Sequence, residues 1–250
     1  MSKPVVLILG AGANVGTAVA RKFSQDGYQV AVSARRIANG ISPEGYITIQ
    51  ADLSEKTAVP QIFEKVKSAA GIPSVVIYNA ATFTPPPSNA PLSLSPEALD
   101  RDIWVNTHSA IIAADHAVRG FEQLPETATK TFIYTGNWLN KTISASSALL
   151  TLGVGKAASA YWIGSANQTY SQKGYRFYYA DQRTPEGTSM RTGVDGEAHA
   201  EFFKQLADWQ DPSVPWLATF VKGKGYCDAW YSSSQPRTPP TVVLNKQLWI

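Results

Sequence analysis

Apolar positions along the chain fall into two recurring patterns. Short unbroken runs, "PVVLIL" (4–9), "YQVAVS" (28–33), "YITIQ" (46–50), "SVVIY" (74–78), "KTFIYT" (130–135), "YRFYYA" (175–180) and "PWLATFV" (215–221), are rich in β-branched and aromatic residues. They predict buried strands. Between them the apolar residues take helical spacing. In 15–27, Val15, Ala18, Val19 and Phe23 share one face, and Gly27 supplies a stop. Further helices are predicted over roughly 55–70, 97–120, 149–173 and 196–208. Strand–helix alternation implies right-handed crossovers, hence a doubly wound, mostly parallel sheet of about seven strands with helices on both faces. The pattern predicts one domain over 1–225. The stretch 226–250, with "SSSQPRTPPT" and an isolated "VVLNKQLWI", reads as a C-terminal extension.

Composition narrows the function classes. With 250 residues, 44% hydrophobic and 16% charged, the chain can fill one sizeable core. A net charge of +3 with no basic run beyond Arg35-Arg36 argues against a nucleic-acid partner. No apolar run reaches membrane-span length, and the N-terminal apolar run is short for a signal peptide. His108, His116 and His199 make no metal-ligand pattern, so no metal is expected. The single Cys227 fits a reducing, cytoplasmic setting.

The chemistry is concentrated after the strands. The first strand runs into "GAGANVG" (10–16), which opens the first helix. Gly10 permits a sharp turn, Gly12 and Gly16 allow close approach, and the helix N-terminus offers N–H groups to phosphate. The second strand ends in "SARR" (33–36). An acid there would suit a ribose hydroxyl; Ser33, Arg35 and Arg36 suit a 2′-phosphate, which points to NADP(H).

These segments resemble the short-chain dehydrogenase/reductase family and its three-layer Rossmann fold. In the family's T-G-x-x-x-G-x-G turn, Leu9 stands for threonine and Asn14 for the middle glycine, ahead of Val15. Asparagine is expected to tolerate the left-handed backbone such a turn can require. "ADL" (51–53) matches the segment whose aspartate contacts adenine, giving Asp52 and Leu53. "YNAA" (78–81) matches N-N-A-G, giving Asn79, Ala80 and Ala81. "VNTHSA" (105–110) matches the helix motif of the active-site Asn106, and Lys156 matches the lysine of Y-x-x-x-K. The resemblance implies a lysine that grips the nicotinamide ribose, a small-molecule substrate, and a homo-oligomer, dimer or tetramer, built on the helices near 97–120 and 149–173.

One position departs from the family. Four residues before Lys156 stands Leu152, which cannot donate a proton, and Tyr161 lies five residues after the lysine, about 140° around a helix. Gly136-Asn137 replaces the usual serine pair. Asn137 is a candidate to hold a substrate oxygen, with Trp138, Leu139 and Asn140 as neighbours in competition. After the sixth strand, "ADQRTPEGT" replaces P-G-x-x-x-T, which makes Asp181, read as a loop residue, the candidate acid or base. Trp138, Tyr161, Trp162, Tyr178 and Tyr179 are candidates to line an apolar pocket. Three functions stay open: an atypical NADP(H)-dependent oxidoreductase acting on a carbonyl or imine, a non-redox enzyme such as an isomerase or cyclase, and a catalytically silent NADP(H)-binding protein.

Overall fold

The computed structural model describes residues 3–228. At its centre β1 (Val5–Leu9) is buried at all five positions, as a strand covered on both faces must be. β2 (Gln29–Ala34) and β5 (Pro73–Tyr78) flank it. β4 (Ile47–Gln50) lies outside β2. β6 (Thr131–Thr135), β7 (Arg176–Arg183) and β8 (Leu217–Val221) follow in turn outside β5. All seven are parallel, as the alternating pattern predicts. Two antiparallel strands, β3 (Gly40–Ile41) and β9 (Gly225–Tyr226), extend the edges, giving nine among the described residues. Each is two residues long, too short for periodicity to announce. β9 lies across the expected 225/226 boundary; of the C-terminal extension only 226–228 are described, and the rest lies outside the described residues.

Side-chain alternation along each strand feeds two cores. Leu7 and Leu9 pack with α2 (Ala58–Ala70), α4 (Ser109–Phe121) and α5 (Leu150–Tyr170). Val6 and Ile8 pack with α1 (Val15–Gln25) and α6 (Gly196–Asp208). The expected long helix over 97–120 is interrupted. α3 (Pro96–Ile103), capped by Ser95 Oγ on the Ala98 N–H, passes through a π-type turn at Trp104–His108 before α4. Such widened turns cluster at functional sites, and this one carries Asn106.

β1 connects to strands on one side, and the crossover after β4 returns the chain to β5 on the other. The reversal opens a crevice at the carboxyl ends of β1, β2 and β5, where open α/β sheets hold their ligands.

Candidate functional site

Four segments leaving strand carboxyl ends line one cleft of about 640 Å³: Gly10–Ala13, Ser33–Ile37, Ala51–Ser54 and Asn79–Thr82, closed by Arg101 and Val105. The Gly10 and Ala11 N–H groups donate to the Ser33 carbonyl at 3.0 and 2.9 Å. Asn79 Nδ2 donates to the Gly10 carbonyl at 2.8 Å. Gly10 has φ +94°, and a Cβ there would lie 2.5 Å from the Ala80 nitrogen, so only glycine fits. A Cβ at Gly12 would meet nothing within 4 Å; that space belongs to the cleft.

The predicted residues of this end converge. Arg35 and Arg36 are exposed on the rim. Ser33 is 1% exposed, and its hydroxyl has no hydrogen-bond partner among the described residues. Asp52 Oδ1 accepts from the Ser54 N–H and hydroxyl, both at 2.9 Å. Burial works against its charge, but those bonds, Arg35 and Arg101 hold the carboxyl below its usual range. Leu53, Ala80 and Ala81 line the same walls. Val15 and Gly16 are buried at the start of α1, behind the turn.

Asn14 corrects an expectation. Its φ is −95°, not left-handed. Its Nδ2 donates to the Val194 carbonyl at 2.8 Å. The residue braces the turn against the segment entering α6; it does not supply a special backbone angle.

The other end of the crevice is packed. Lys156 is 4% exposed; its Nζ donates to the Thr135 carbonyl at 2.6 Å and lies 4.4 Å from the centre of the Tyr134 ring. Burial pushes its amine down to about 7, against the opposing pull of Asp181. Asp181 is not in a loop: β7 runs on to Arg183 and leaves it 2% exposed. Arg183 Nε and Nη2 approach Asp181 Oδ2 at 2.7 and 2.6 Å. Desolvation raises the carboxyl to about 6 in spite of Arg183 and Lys156.

Asn106 is fully buried. Its side chain accepts from the Thr82 N–H at 3.0 Å and donates to the Thr82 carbonyl at 2.7 Å. Its own carbonyl accepts from the Tyr134 hydroxyl at 2.9 Å and the Ser159 hydroxyl at 3.0 Å. It ties the π-type turn to the loop after β5 and to α5.

A Cβ at Gly136 would lie 2.2 Å from the Tyr179 ring, so Tyr179 fills that room. The Tyr179 hydroxyl donates to the Asn137 carbonyl at 2.8 Å and accepts its N–H at 3.0 Å. The ring stacks on Tyr134, which stacks on Tyr78. Asn137 Oδ1 caps the short turn Trp138–Asn140 by accepting from the Leu139 N–H at 3.0 Å. Leu152 is half-buried on α5, one turn before Lys156 in an unbroken helix, whereas Tyr161 is 83% exposed. The five aromatics do not gather into one pocket. Tyr178 packs in the α1/α6 layer, Tyr179 and Trp162 pack in the α4/α5 layer, and Tyr161 faces solvent.

Sequence patterns gave no hint of Arg101, which sits in no motif and lines the cleft only because α3 is folded over it. Among the described residues no group of histidine, cysteine or acidic side chains could hold a metal, and no helix is long and apolar enough to cross a membrane.

The profile of short chain dehydrogenases matches residues 4–127, which ends before the lysine helix. A short chain dehydrogenase/reductase of Cryptosporiopsis sp. is 40% identical over 240 residues, covering 90% of this chain and 95% of that protein. This chain belongs to the short-chain dehydrogenase/reductase family. Solved folds agree. The 3-ketoacyl-(acyl-carrier-protein) reductase of Brucella melitensis, complexed with NADH, superposes with a TM-score of 0.73 at 18% identity, over 89% of this chain and 98% of that one. A short chain dehydrogenase of Burkholderia cenocepacia in complex with NADP gives 0.71 at 18%, over 90% and 98%. Those two structures carry different dinucleotides, NADH and NADP.

Proposed function

We propose that this protein is an NADP(H)-dependent oxidoreductase of a small organic carbonyl or imine, with a rebuilt proton-transfer site. The observation that carries the reading is the end of β2. Ser33 offers an unpartnered buried hydroxyl beside exposed Arg35 and Arg36, with no carboxylate among them. A ribose 2′-phosphate satisfies all three by charge-assisted hydrogen bonds. The open space at Gly12 and the fixed turn at Gly10 suit a pyrophosphate at the start of α1. Asp52, Leu53, Asn79, Ala80 and Ala81 complete the adenosine walls.

The bound nicotinamide supplies or accepts a hydride. The chain's own residues orient the acceptor and move the proton. Asn137 Nδ2, half-buried and unpartnered among the described residues, is the donor for a substrate oxygen. Lys156, with its amine brought near neutrality by burial, holds the proton that Leu152 cannot supply. Asp181 sets the field on Lys156 and is itself held by Arg183. Asn106 acts through architecture, since every polar atom of its side chain is used on Thr82.

One observation favours a second reading, a silent NADP(H)-binding protein. Lys156 and Asp181 are almost fully buried, and the Tyr179 ring lies against Gly136 where a side chain would stand. Nicotinamide fluorescence on titration with NADPH and NADH, followed by absorbance at the reduced-nicotinamide band with a panel of ketones, aldehydes and imines, separates the two. Turnover lost in Lys156→Met with NADPH binding retained supports the oxidoreductase. Tight binding without turnover on any acceptor removes the oxidoreductase and leaves the silent protein or a non-redox enzyme.

The same reading makes the protein a cytoplasmic homo-oligomer. Ile111 on α4 and Val154 and Tyr161 on α5 are exposed apolar side chains on the two helices expected to pair. Light scattering at micromolar concentration should give a dimer or larger, and a monomeric mass removes the proposal.

A further inference from the structure

The base end of the cleft contains a cation that no motif assigns. Arg101 lines it with Leu53 and Val105, two apolar walls, and with Asp52. Val105 lies four residues on, so both side chains reach the same space from one helical face. The segments suited to phosphate, Gly10–Ala13 and Ser33–Arg36, line the same cleft, with Asp52 in electrostatic reach of both Arg35 and Arg101.

The guanidinium is held in place from two sides. Nη2 donates to Thr84 Oγ1 at 2.6 Å and lies 3.4 Å from Asp102 Oδ1. Asp102 is fully buried, and its other oxygen accepts from Thr151 Oγ1 of α5 at 2.8 Å. A buried carboxylate anchored to a second helix is a fixed counter-charge, so the cation it holds is pre-positioned. Half of the Arg101 side chain remains exposed.

We infer that Arg101 is a recognition residue for the adenine base, its guanidinium packing on the ring while Leu53 and Val105 supply the apolar contact. A delocalised planar cation suits an aromatic purine surface; an ammonium does not stack in this way. This rests on the reading that the cleft takes an adenine dinucleotide. It adds that base recognition and 2′-phosphate recognition belong to different arginines.

The two roles separate in a calorimetric comparison of NADPH, NADH and ADP on the full chain. A cation–π contact of this kind corresponds to an affinity change of roughly threefold to thirtyfold. Arg101→Ala should weaken all three ligands by a similar factor in that range and leave the NADPH/NADH ratio unchanged. Arg101→Lys keeps the charge beside Asp102, and so guards against a folding defect, but lacks the plane; it too should weaken all three. Thr84→Val removes the loop contact and keeps the guanidinium, and should leave all three within about twofold. Loss confined to NADPH would overturn the inference in favour of a phosphate contact. Unchanged affinities in both Arg101 variants would overturn it as well. In those cases wild-type binding of NADPH leaves the dinucleotide reading standing. A wild-type protein that binds none of the three ligands removes both.

Discussion

At the glycine-rich end of the crevice the walls are backbone, small side chains and exposed cations, with one buried hydroxyl left unpartnered. At the lysine end they are buried side chains already engaged: Lys156 with Thr135, Asp181 with Arg183, Tyr179 with Asn137, Asn106 with Thr82. The first end keeps the order and spacing of the family's motifs, with departures at Leu9, Asn14, Tyr78 and Ala81, and leaves room for a ligand. The second carries Leu152 four residues before Lys156 and Gly136-Asn137 after β6, and its polar side chains are packed and ion-paired. A dinucleotide site tolerates little change because backbone N–H groups and a glycine turn do its work. A proton-transfer site is made of side chains, so it can be rebuilt without disturbing the scaffold.

The sharpest way to break this contrast is at the buried ion pair. Arg183→Leu leaves the Asp181 carboxylate in a 2%-exposed position without its main cation. Breaking one half of such a pair costs about 3–5 kcal/mol. Thermal unfolding should show a large drop in Tm, and Asp181→Asn in the same chain should recover much of it. An unchanged Tm would show that the lysine end is not held together by this pair.

Next comes the open end. Arg35→Ala should cost NADPH about 1.5–3 kcal/mol, roughly a 10- to 100-fold loss of affinity, and leave NADH nearly unchanged. Equal losses for both cofactors in calorimetry would defeat the 2′-phosphate assignment.

Leu152→Tyr tests whether the lysine end is a family site with its acid deleted. The helix register is intact and Leu152 is half-buried one turn from Lys156, so the phenol can be accommodated at the family's position. Carbonyl-reductase activity should appear or rise, since a general acid contributes 10²–10⁴-fold in favourable cases. The Tyr179 ring packed against Gly136 keeps the gain towards the lower figure. A Tm loss of the size overpacking produces, about 1–3 kcal/mol in stability, with no added NADPH consumption would mark Leu152 as core packing and not a vacant acid position.

The last expected effect is on pH and is spread over several units. Lys156 titrates near 7 in the folded chain and near its ordinary, higher value when unfolded. Between those values the unfolded chain binds more protons, so stability rises with pH from about 7 upward, by at most ~1.4 kcal/mol per unit. Asp181 acts in the opposite sense: its raised value makes stability fall as pH climbs from its ordinary range towards 6. Denaturant titrations should show the rise above pH 7, and Lys156→Met should flatten it.

Much of this was legible in the chain. Seven apolar runs gave seven parallel strands, because a strand covered on both faces must be apolar throughout. Gly10, Ser33, Arg35, Asp52 and Asn79 each follow a strand end, and strand order alone brings strand ends together. The lysine end was less legible. Asp181 read as a loop residue because polar "DQR" ends the apolar run, yet β8 supplies partners that carry β7 on to Arg183. Asn14 read as a backbone substitute for glycine, but its role depends on Val194, 180 residues away. Arg101 carried no local signal at all.

The sequence by itself determined the layered α/β fold, the dinucleotide turn and the absence of a tyrosine four residues before Lys156. Those features are written in periodicity, in glycine positions and in spacing along one helix, all local in the chain. Only the tertiary structure decided that the Tyr179 ring packs against Gly136, that Lys156 and Asp181 are buried, and that Arg101 joins the cleft. Each of these depends on elements distant in sequence meeting across the sheet, where burial and partner geometry, not residue type, set a side chain's charge state and reach.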